Sequence, residues 1–312
     1  MNFIARNIST RRRLFLLLVT LTVVVGCNRS PARSPQLRSL REARAGFVTT
    51  IVESGERPGA PELPPSHILS PAYYLSPVGN LPAYVSPNPN DGKRHPAIVW
   101  LVGGDTNSIG DVWSNQPRDN DQSARAFRNS GIVMLYPSLR GGNTNPGQRE
   151  GFYGEVDDVL AATDFLATLP YVDPTQIYLG GHSTGGTLAM LVGEYSDRYR
   201  AIFALGPVDD VGGYGGRYVY CDINNDREMA LRSPLYWLDD VKRPMYVFEG
   251  GDKGNWSSVQ AMSDQNDNSN IQFFKIPGHD HFSTIAPLTE LLAAQILAGE
   301  IKVTEQTLQG LR

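Results

Sequence analysis

The sequence has little cysteine and no large excess of charge of either sign. It holds 2 cysteines in 312 residues, so the fold has to be stabilised by a packed core rather than by a disulfide framework. The 28 basic and 32 acidic residues leave a net charge of −4, whereas nucleic-acid binding needs a basic surface. We therefore expect no nucleic-acid partner.

Long hydrophobic runs are missing beyond the first 26 residues. Hydrophobic residues make up 41% of the chain and charged residues 19%, which is the composition of a globular protein with enough length for a sizeable core. At roughly 100–200 residues per domain, the length allows one large α/β domain or two small domains. The order of the motifs has to decide between them.

The N-terminus follows the order of a bacterial lipoprotein signal. Consecutive arginines precede an apolar stretch, 14–25, that is too short to span a bilayer comfortably, and Val24-Val25-Gly26-Cys27 resembles a lipobox. We predict a signal peptide over 1–26 and a mature chain that begins with lipidated Cys27. The protein would then be an exported lipoprotein, anchored to a membrane at the cell envelope, in which Cys221 has no disulfide partner within the chain. The alternative is an ordinary signal peptide or a short anchor helix.

Composition divides the rest of the chain into three parts. Residues 27–66 are rich in proline, serine, arginine and glutamate, which predicts an extended tether that one short strand at 47–52 interrupts. A regular pattern of strands and helices covers 67–302, which we assign as a single domain, and 303–312 form a C-terminal tail. Within the domain, 209–243 carry glycines and aromatic residues between two strands, so we expect an insertion over the functional site.

Apolar strands alternate with helices along this domain. After a hairpin over 73–85, strands are predicted at 97–102, 132–136, 176–179, 201–205, 245–248 and 271–276, and helices at 123–129, 156–166, 187–195 and 287–297. This order implies the α/β class, with a mostly parallel central sheet and helices on both faces. Reactive residues are then expected on loops at the carboxyl ends of the strands.

A nucleophile motif stands between one of these strands and the helix that follows it. Gly181-His182-Ser183-Thr184-Gly185 matches the G-x-S-x-G elbow of α/β-hydrolases, in which a tight strand-to-helix turn exposes the serine hydroxyl. We predict Ser183 as the nucleophile. The start of the helix would point backbone N–H groups at a developing oxyanion, with Thr184 as the first donor. The alternative is an ordinary turn serine.

The base can be sought among only 5 histidines. His67 and His95 precede the motif, and His182 is badly placed to take a proton from its neighbour. The fold order Ser, acid, His requires a histidine after the last strand, where Gly278-His279-Asp280-His281-Phe282 lies. Spacing alone leaves both His279 and His281 open.

The acid and the remaining oxyanion donors are expected on two other loops. Phe248-Glu249-Gly250-Gly251-Asp252 follows a strand and offers Asp252, which we favour, or Glu249 at the strand end. Asp209, after the preceding strand, is a third possibility. Gly103 and Gly104, after the first buried strand, would let backbone N–H groups approach a bound carbonyl, unless they form a glycine turn without a ligand.

GHSTGG after YVDPTQIYLG, together with GHDHF after the last strand, resembles the catalytic domain of the prolyl oligopeptidase family over about 95–300. The resemblance implies a serine peptidase in which the histidine before the phenylalanine, His281, is the base. Three departures stand out. The chain has no room upstream for a β-propeller, Val102-Gly103-Gly104-Asp105 replaces the usual oxyanion-loop sequence, and Lys253 occupies the position where the family usually has its aspartate.

These residues predict acyl transfer to water. Ser183 would attack an amide or peptide carbonyl of a small-molecule or peptide substrate, with no metal ion and no organic cofactor. A carboxylesterase of the same fold is the nearest alternative. A catalytically silent hydrolase-fold lipoprotein that acts as a binding module is the second alternative.

Overall fold

The computed structural model describes residues 39–311. A single eight-stranded sheet runs through this part of the chain, in the order β1-β2-β4-β3-β5-β6-β7-β8. The strands are β1 (Ser70–Ser76), β2 (Gly79–Val85), β3 (His95–Leu101), β4 (Val133–Pro137), β5 (Val172–His182), β6 (Ile202–Leu205), β7 (Met245–Gly250) and β8 (Ile271–Ile276). Strand β2 pairs antiparallel with β1 and β4, and all other pairs are parallel. The predicted mostly parallel sheet is confirmed.

Helices cover both faces of this sheet. They are α1 (Leu40–Arg44), α2 (Ala126–Asn129), α3 (Glu155–Thr168), α4 (Thr184–Tyr195), α5 (Asp226–Ala230), α6 (Trp256–Gln265), α7 (Ile285–Ala298) and α8 (Glu305–Gln309). Short 3₁₀ turns add to α5 in the segment between β6 and β7, where the insertion was expected. Within residues 39–311, no helix combines the length and the apolarity needed to cross a membrane.

The alternation of side chains along the central strands produces two separate cores. In β3, Ala97, Val99 and Leu101 pack on the face that carries α1, α3, α4 and α6, whereas Ile98 and Trp100 pack on the face that carries α2, α7 and α8. Because both faces are covered, the strand is apolar at consecutive positions rather than at every second one. Burial of a large aliphatic or aromatic side chain contributes roughly 1.5–3 kcal/mol, so this double core holds the sheet without disulfides.

The structure differs from the predicted tether at the start of its described part, where α1 packs on the domain. Leu40 and Ala43 of α1 are 0% and 1% exposed, because the apolar residues recur at a helical spacing of three and face α4. The side chain of Ser39 caps the helix by accepting the N–H of Glu42. The predicted strand at 47–52 is reduced to one bridge between Ile51 and Cys221. The signal peptide, 1–26, and Cys27 lie outside the described residues.

The predicted C-terminal tail, 303–312, is also corrected. Val303 and Leu308 are buried in the core on the α7 face, and α8 begins with a capping box between Thr304 and Thr307. The local cap and two apolar side chains are therefore enough to dock this segment on the domain.

One buried carboxyl group of α4 lacks a partner. Glu194 is 4% exposed, and neither of its side-chain oxygens has a hydrogen-bond partner among the described residues. Burial, together with the nearby charge of Asp240, raises the pKa of Glu194 well above its usual range, although Arg44 offsets part of this effect. A carboxyl group whose pKa is raised in the folded state costs stability once the pH exceeds its unfolded value of about 4.3.

We expect Glu194→Gln to stabilise the protein at pH 8, because the variant has no buried carboxyl group to ionise. The gain should be on the order of 1–3 kcal/mol and should vanish near pH 4, where the glutamate is protonated in both states. Thermal unfolding at the two pH values measures it. Glu290→Gln is the control, since Glu290 is half-exposed and paired with Arg118. An equal or lower melting temperature of Glu194→Gln at pH 8 would contradict the prediction.

Candidate active site

Ser183 occupies the single residue between β5 and α4. Its φ of 55° and ψ of −117° are an unusual conformation for a residue with a side chain. Two backbone hydrogen bonds hold this strained turn, one from the Ser183 N–H to Leu205 O at 2.7 Å and one from the Thr187 N–H to Ser183 O at 2.9 Å. The predicted elbow is therefore present, and strain is stored at the proposed nucleophile.

The glycines around Ser183 are required by close backbone contacts. A Cβ atom at Gly185 would collide with the carbonyl oxygen of Leu101, and one at Gly181 would collide with that of Gly185. At Gly186, a Cβ atom would lie 2.6 Å from Leu205 O. The turn therefore fits between β3 and β6 only when these positions lack side chains.

A carboxylate at the end of β7 pairs with His281. The Nδ1 atom of His281 lies 2.9 Å from Oε2 of Glu249, which is 1% exposed. Glu249 also accepts the N–H groups of Gly250 (2.6 Å) and Asn255 (2.7 Å). The carboxylate oxygen can only accept a hydrogen bond, so Nδ1 carries the hydrogen and Nε2 is left to face a hydroxyl group.

The structure does not bring the favoured acid, Asp252, to His281, and the alternative, Glu249, is the carboxylate that pairs with the histidine. Asp252 lies exposed on the loop after β7, where its N–H bonds to His279 O at 3.1 Å. The longer glutamate side chain reaches His281 from the strand end. His279 does not join this pair, because its Nδ1 faces the carbonyl oxygen of Ser283 at 3.1 Å. Asp209 makes no contact with His281 among the described hydrogen bonds and uses its carbonyl oxygen to accept the Leu235 N–H.

Ser183 and His281, the predicted nucleophile and base, both lie at the carboxyl end of β6. Ser183 bonds to Leu205 O, and the ring of His281 lies against the next residue, Gly206, where a Cβ atom would be 2.5 Å from Cε1. In the described part of the chain, no hydrogen bond joins the Ser183 hydroxyl to His281. Such bonds are often long before substrate binds and tighten in the reacting complex.

In the described part of the chain, the backbone N–H groups of Thr184 and Gly104 have no hydrogen-bond acceptor and remain for an oxyanion. Thr184 begins α4, and its hydroxyl donates to Gly104 O at 2.9 Å, which ties the loop after β3 to the start of the helix. Gly104 has a φ of 75°, a conformation that favours glycine. The N–H of Gly103 already bonds to Oε1 of Gln122 at 3.2 Å. Of the two predicted glycines, Gly103 therefore uses its N–H within the protein and Gly104 does not. The N–H groups of Thr184 and Gly104 fit the oxyanion role.

The charged side chains beside this loop pair with each other. Arg149 forms a two-pronged ion pair with Asp105, with 2.9 Å between Nη2 and Oδ2, and its Nε donates to Gly141 O at 3.2 Å. Nothing in the sequence indicated this arginine, because it lies in a coil 44 residues from Asp105. Within residues 39–311, no group of three or more His, Cys, Asp or Glu side chains is arranged to hold a metal ion.

The sheet order, the elbow and the buried His281–Glu249 pair define a hydrolase-type α/β domain. Residues 119–250 of the chain match the prolyl oligopeptidase family, also called peptidase family S9. The resemblance predicted from GHSTGG and GHDHF is thereby confirmed. The family match and the peptidase relatives support a serine hydrolase.

Two curated relatives are similar over part of their length. Dipeptidyl-peptidase 5 of Porphyromonas gingivalis is 30% identical over 135 residues, which cover 40% of this chain and 19% of the relative. The acylamino-acid-releasing enzyme of Rattus norvegicus is 27% identical over 188 residues, which cover 52% of this chain and 25% of the relative. The aligned part thus spans a quarter or less of the length of these relatives.

A solved structure shows the same fold. The puromycin-hydrolyzing peptidase of Mycobacterium tuberculosis superposes with a TM-score of 0.59 over 75% of this chain and 41% of that protein, at 20% identity. This likeness establishes the α/β-hydrolase fold, and the predicted fold class is confirmed.

We expect Glu249→Gln to lower kcat by about 10³–10⁴-fold, because the amide cannot stabilise the imidazolium and favours the wrong tautomer of His281. Asp252→Asn removes the same charge from a neighbouring exposed site and should change kcat by less than about twofold. Hydrolysis of p-nitrophenyl acetate by the two variants measures the difference. Loss of activity in Asp252→Asn, with Glu249→Gln unaffected, would restore Asp252 as the acid.

Proposed function

We propose that the protein is a serine peptidase that cleaves amide bonds through an acyl-enzyme. The observation that carries the proposal is the strained Ser183 turn, which lies at the same strand end as the buried His281–Glu249 pair. A serine hydroxyl is a weak nucleophile unless a base and an oxyanion hole assist it. The residues that can supply both are assembled around Ser183.

The geometry supports a two-step reaction. The Oγ of Ser183 attacks the carbonyl carbon while its proton passes to Nε2 of His281, and Glu249 stabilises the imidazolium. The N–H groups of Thr184 and Gly104 hold the oxyanion. The C–N bond then breaks, His281 returns the proton to the leaving amine, and a water molecule hydrolyses the acyl-serine by the same route.

We infer peptides as the substrate class. The two curated relatives are named as a dipeptidyl-peptidase and as an acylamino-acid-releasing enzyme, so a peptide from which a short N-terminal unit is released is the substrate that fits both names. We also propose that the peptidase is of the prolyl-oligopeptidase-like type, which the family match supports. A carboxylesterase uses the same residues and differs only in the leaving group, which is an alcohol instead of an amine.

A fluorophosphonate probe tests the assembled site without a known substrate. We expect labelling at Ser183 alone, because among the serines that the structure describes only Ser183 combines an elbow with a nearby histidine. Labelling should vanish in Ser183→Ala, slow by at least about 10²-fold in His281→Ala, and stay within twofold in His279→Ala. Mass spectrometry of the probe adduct and labelling rates measure this outcome. Equal labelling of wild type and Ser183→Ala would overturn the hydrolase proposal.

A substrate panel then separates the reaction classes. Turnover of dipeptidyl or N-acetyl-aminoacyl p-nitroanilides supports the peptidase, and turnover of p-nitrophenyl esters alone supports the carboxylesterase. A well-folded protein that takes up no probe and turns over no substrate would instead be the catalytically silent binding module.

We also propose that the protein is exported and held on a membrane by a lipid on Cys27. The order of arginines, apolar stretch and Val24-Val25-Gly26-Cys27 supports this proposal. The anchor would present the enzyme at the cell envelope, on the periplasmic or the outer side.

Replacement of Cys27 by Ser should move the protein from the membrane fraction to the soluble fraction and abolish incorporation of an alkyne fatty acid, because the variant lacks the thiol that carries the lipid. Cell fractionation and in-gel detection of the alkyne measure both effects. Cys221→Ala is the matched control, since Cys221 is the other cysteine and is buried in the domain. Membrane association that persists in Cys27→Ser would show that another segment anchors the chain.

A further inference from the structure

The second residue of the elbow, His182, is a buried histidine beside the base. It is 0% exposed, and its ring centroid lies 4.5 Å from that of His281. Its Nε2 lies 2.8 Å from the carbonyl oxygen of His281, and its Nδ1 lies 3.0 Å from Nε2 of Gln122. Both ring nitrogens are therefore occupied by groups other than the Ser183 hydroxyl, so His182 has no nitrogen left to act as a base.

The chemistry of the partners fixes which atom donates in each bond. The carbonyl oxygen of His281 can only accept, so Nε2 of His182 carries the hydrogen and Nδ1 of the neutral ring accepts. Gln122 then donates its amide N–H to Nδ1, which leaves Oε1 to accept the N–H of Gly103 at 3.2 Å. The backbone of Gln122 is held as well, because its main-chain carbonyl oxygen accepts the Trp100 indole N–H at 2.9 Å.

The neutral state of His182 is secured by its surroundings. Burial, with a smaller effect of the neighbouring His281, lowers the pKa of His182 to about 3. The ring therefore stays uncharged at neutral pH, and the direction of each hydrogen bond does not change while His281 gains and loses its proton.

These bonds form one continuous path from Gly103 through Gln122 and His182 to the backbone of His281. The first residue of the path, Gly103, precedes Gly104, whose N–H we assign to the proposed oxyanion site. The last residue is the base. The two ends are 178 positions apart in the numbering, and β-strand pairing alone does not fix the loops on which they lie.

We propose that His182 and Gln122 are positioning residues that hold the base and the oxyanion loop in one arrangement. Misplacement of a reacting group by about 1 Å can cost 10²-fold in rate. Two loops that are held by one path of hydrogen bonds keep the reacting groups in place better than two loops that move separately. This inference rests on the proposed hydrolase function and adds two residues to its machinery, neither of which touches the reacting atoms.

The test compares His182→Leu with His182→Gln. Leucine fills a similar volume but offers no hydrogen bond, so kcat should fall by about 10²-fold with KM within about twofold. Glutamine can place its amide N–H near the position of Nε2 and should restore kcat to within about fivefold of wild type. His279→Leu, which removes a histidine outside this path of hydrogen bonds, should leave kcat and KM unchanged.

A second variant keeps the test decisive if His182→Leu does not fold. Gln122 is half-buried on a loop, so Gln122→Met should keep the melting temperature of wild type while kcat falls by about tenfold. An unchanged kcat in folded Gln122→Met or His182→Leu, or no recovery in His182→Gln, would overturn the proposal. Wild-type protein that takes up no fluorophosphonate would instead refute the hydrolase function on which it rests.

Discussion

The architecture of the site depends on the close approach of backbone at the Ser183 turn. The chain reverses from β5 into α4 within one residue, against Leu101 O on one side and Leu205 O on the other. Because Gly181, Gly185 and Gly186 have no side chains, the start of α4 can lie directly over the ends of β3 and β6, where a Cβ atom would collide with backbone. This contact places the first N–H groups of the helix beside the loop after β3.

Burial determines the electrostatics of the site. Glu249 is removed from water and is stabilised by His281 and by the N–H groups of Gly250 and Asn255. A hydrogen bond to a charged group contributes about 1.5–3 kcal/mol, so three such bonds offset a desolvation cost of several kcal/mol. The exposed Asp252 would pay no such cost, but it would also give a weaker electrostatic effect because water screens it.

The sequence was most informative where the physical signal is local. The elbow combines a strand, a glycine-rich turn and a helix within residues 172–195, and the strands buried on both faces appear as continuous apolar runs such as Ala97-Ile98-Val99-Trp100. Fold order and the family resemblance then selected His281. Helix α6 was not predicted, because its mixed polar composition has little apolar periodicity and only Val259 and Met262 are buried.

Partners that are distant in the chain were beyond local reasoning. Glu249 lies in β7 and Asp252 lies in the loop that follows it, and only the folded structure shows that the Glu249 carboxylate is the one buried against His281. Gln122 lies 60 positions from His182, and no pattern in its own neighbourhood indicates a contact. The proline- and serine-rich composition of 27–66 suggested an extended chain, yet Leu40 and Ala43 of α1 pack into the core and the Arg44 guanidinium donates to main-chain carbonyl oxygens of the domain.

The described N-terminal segment also contacts the residues that pack beside the loop after β3. Gly55 packs against Tyr220, where a Cβ atom would lie 2.8 Å from the ring, and against Arg149, the partner of Asp105. Arg57 donates to Asn145 O at 3.1 Å, on the loop that carries Arg149. The Arg149 side chain is 4% exposed and so is shielded from water, which strengthens its attraction for Asp105 beside Gly104. The segment that leads toward Cys27 is therefore coupled through packing to the oxyanion loop. Residues that stand in the sequence between the domain and the proposed anchor at Cys27 thus also help to hold the proposed oxyanion loop.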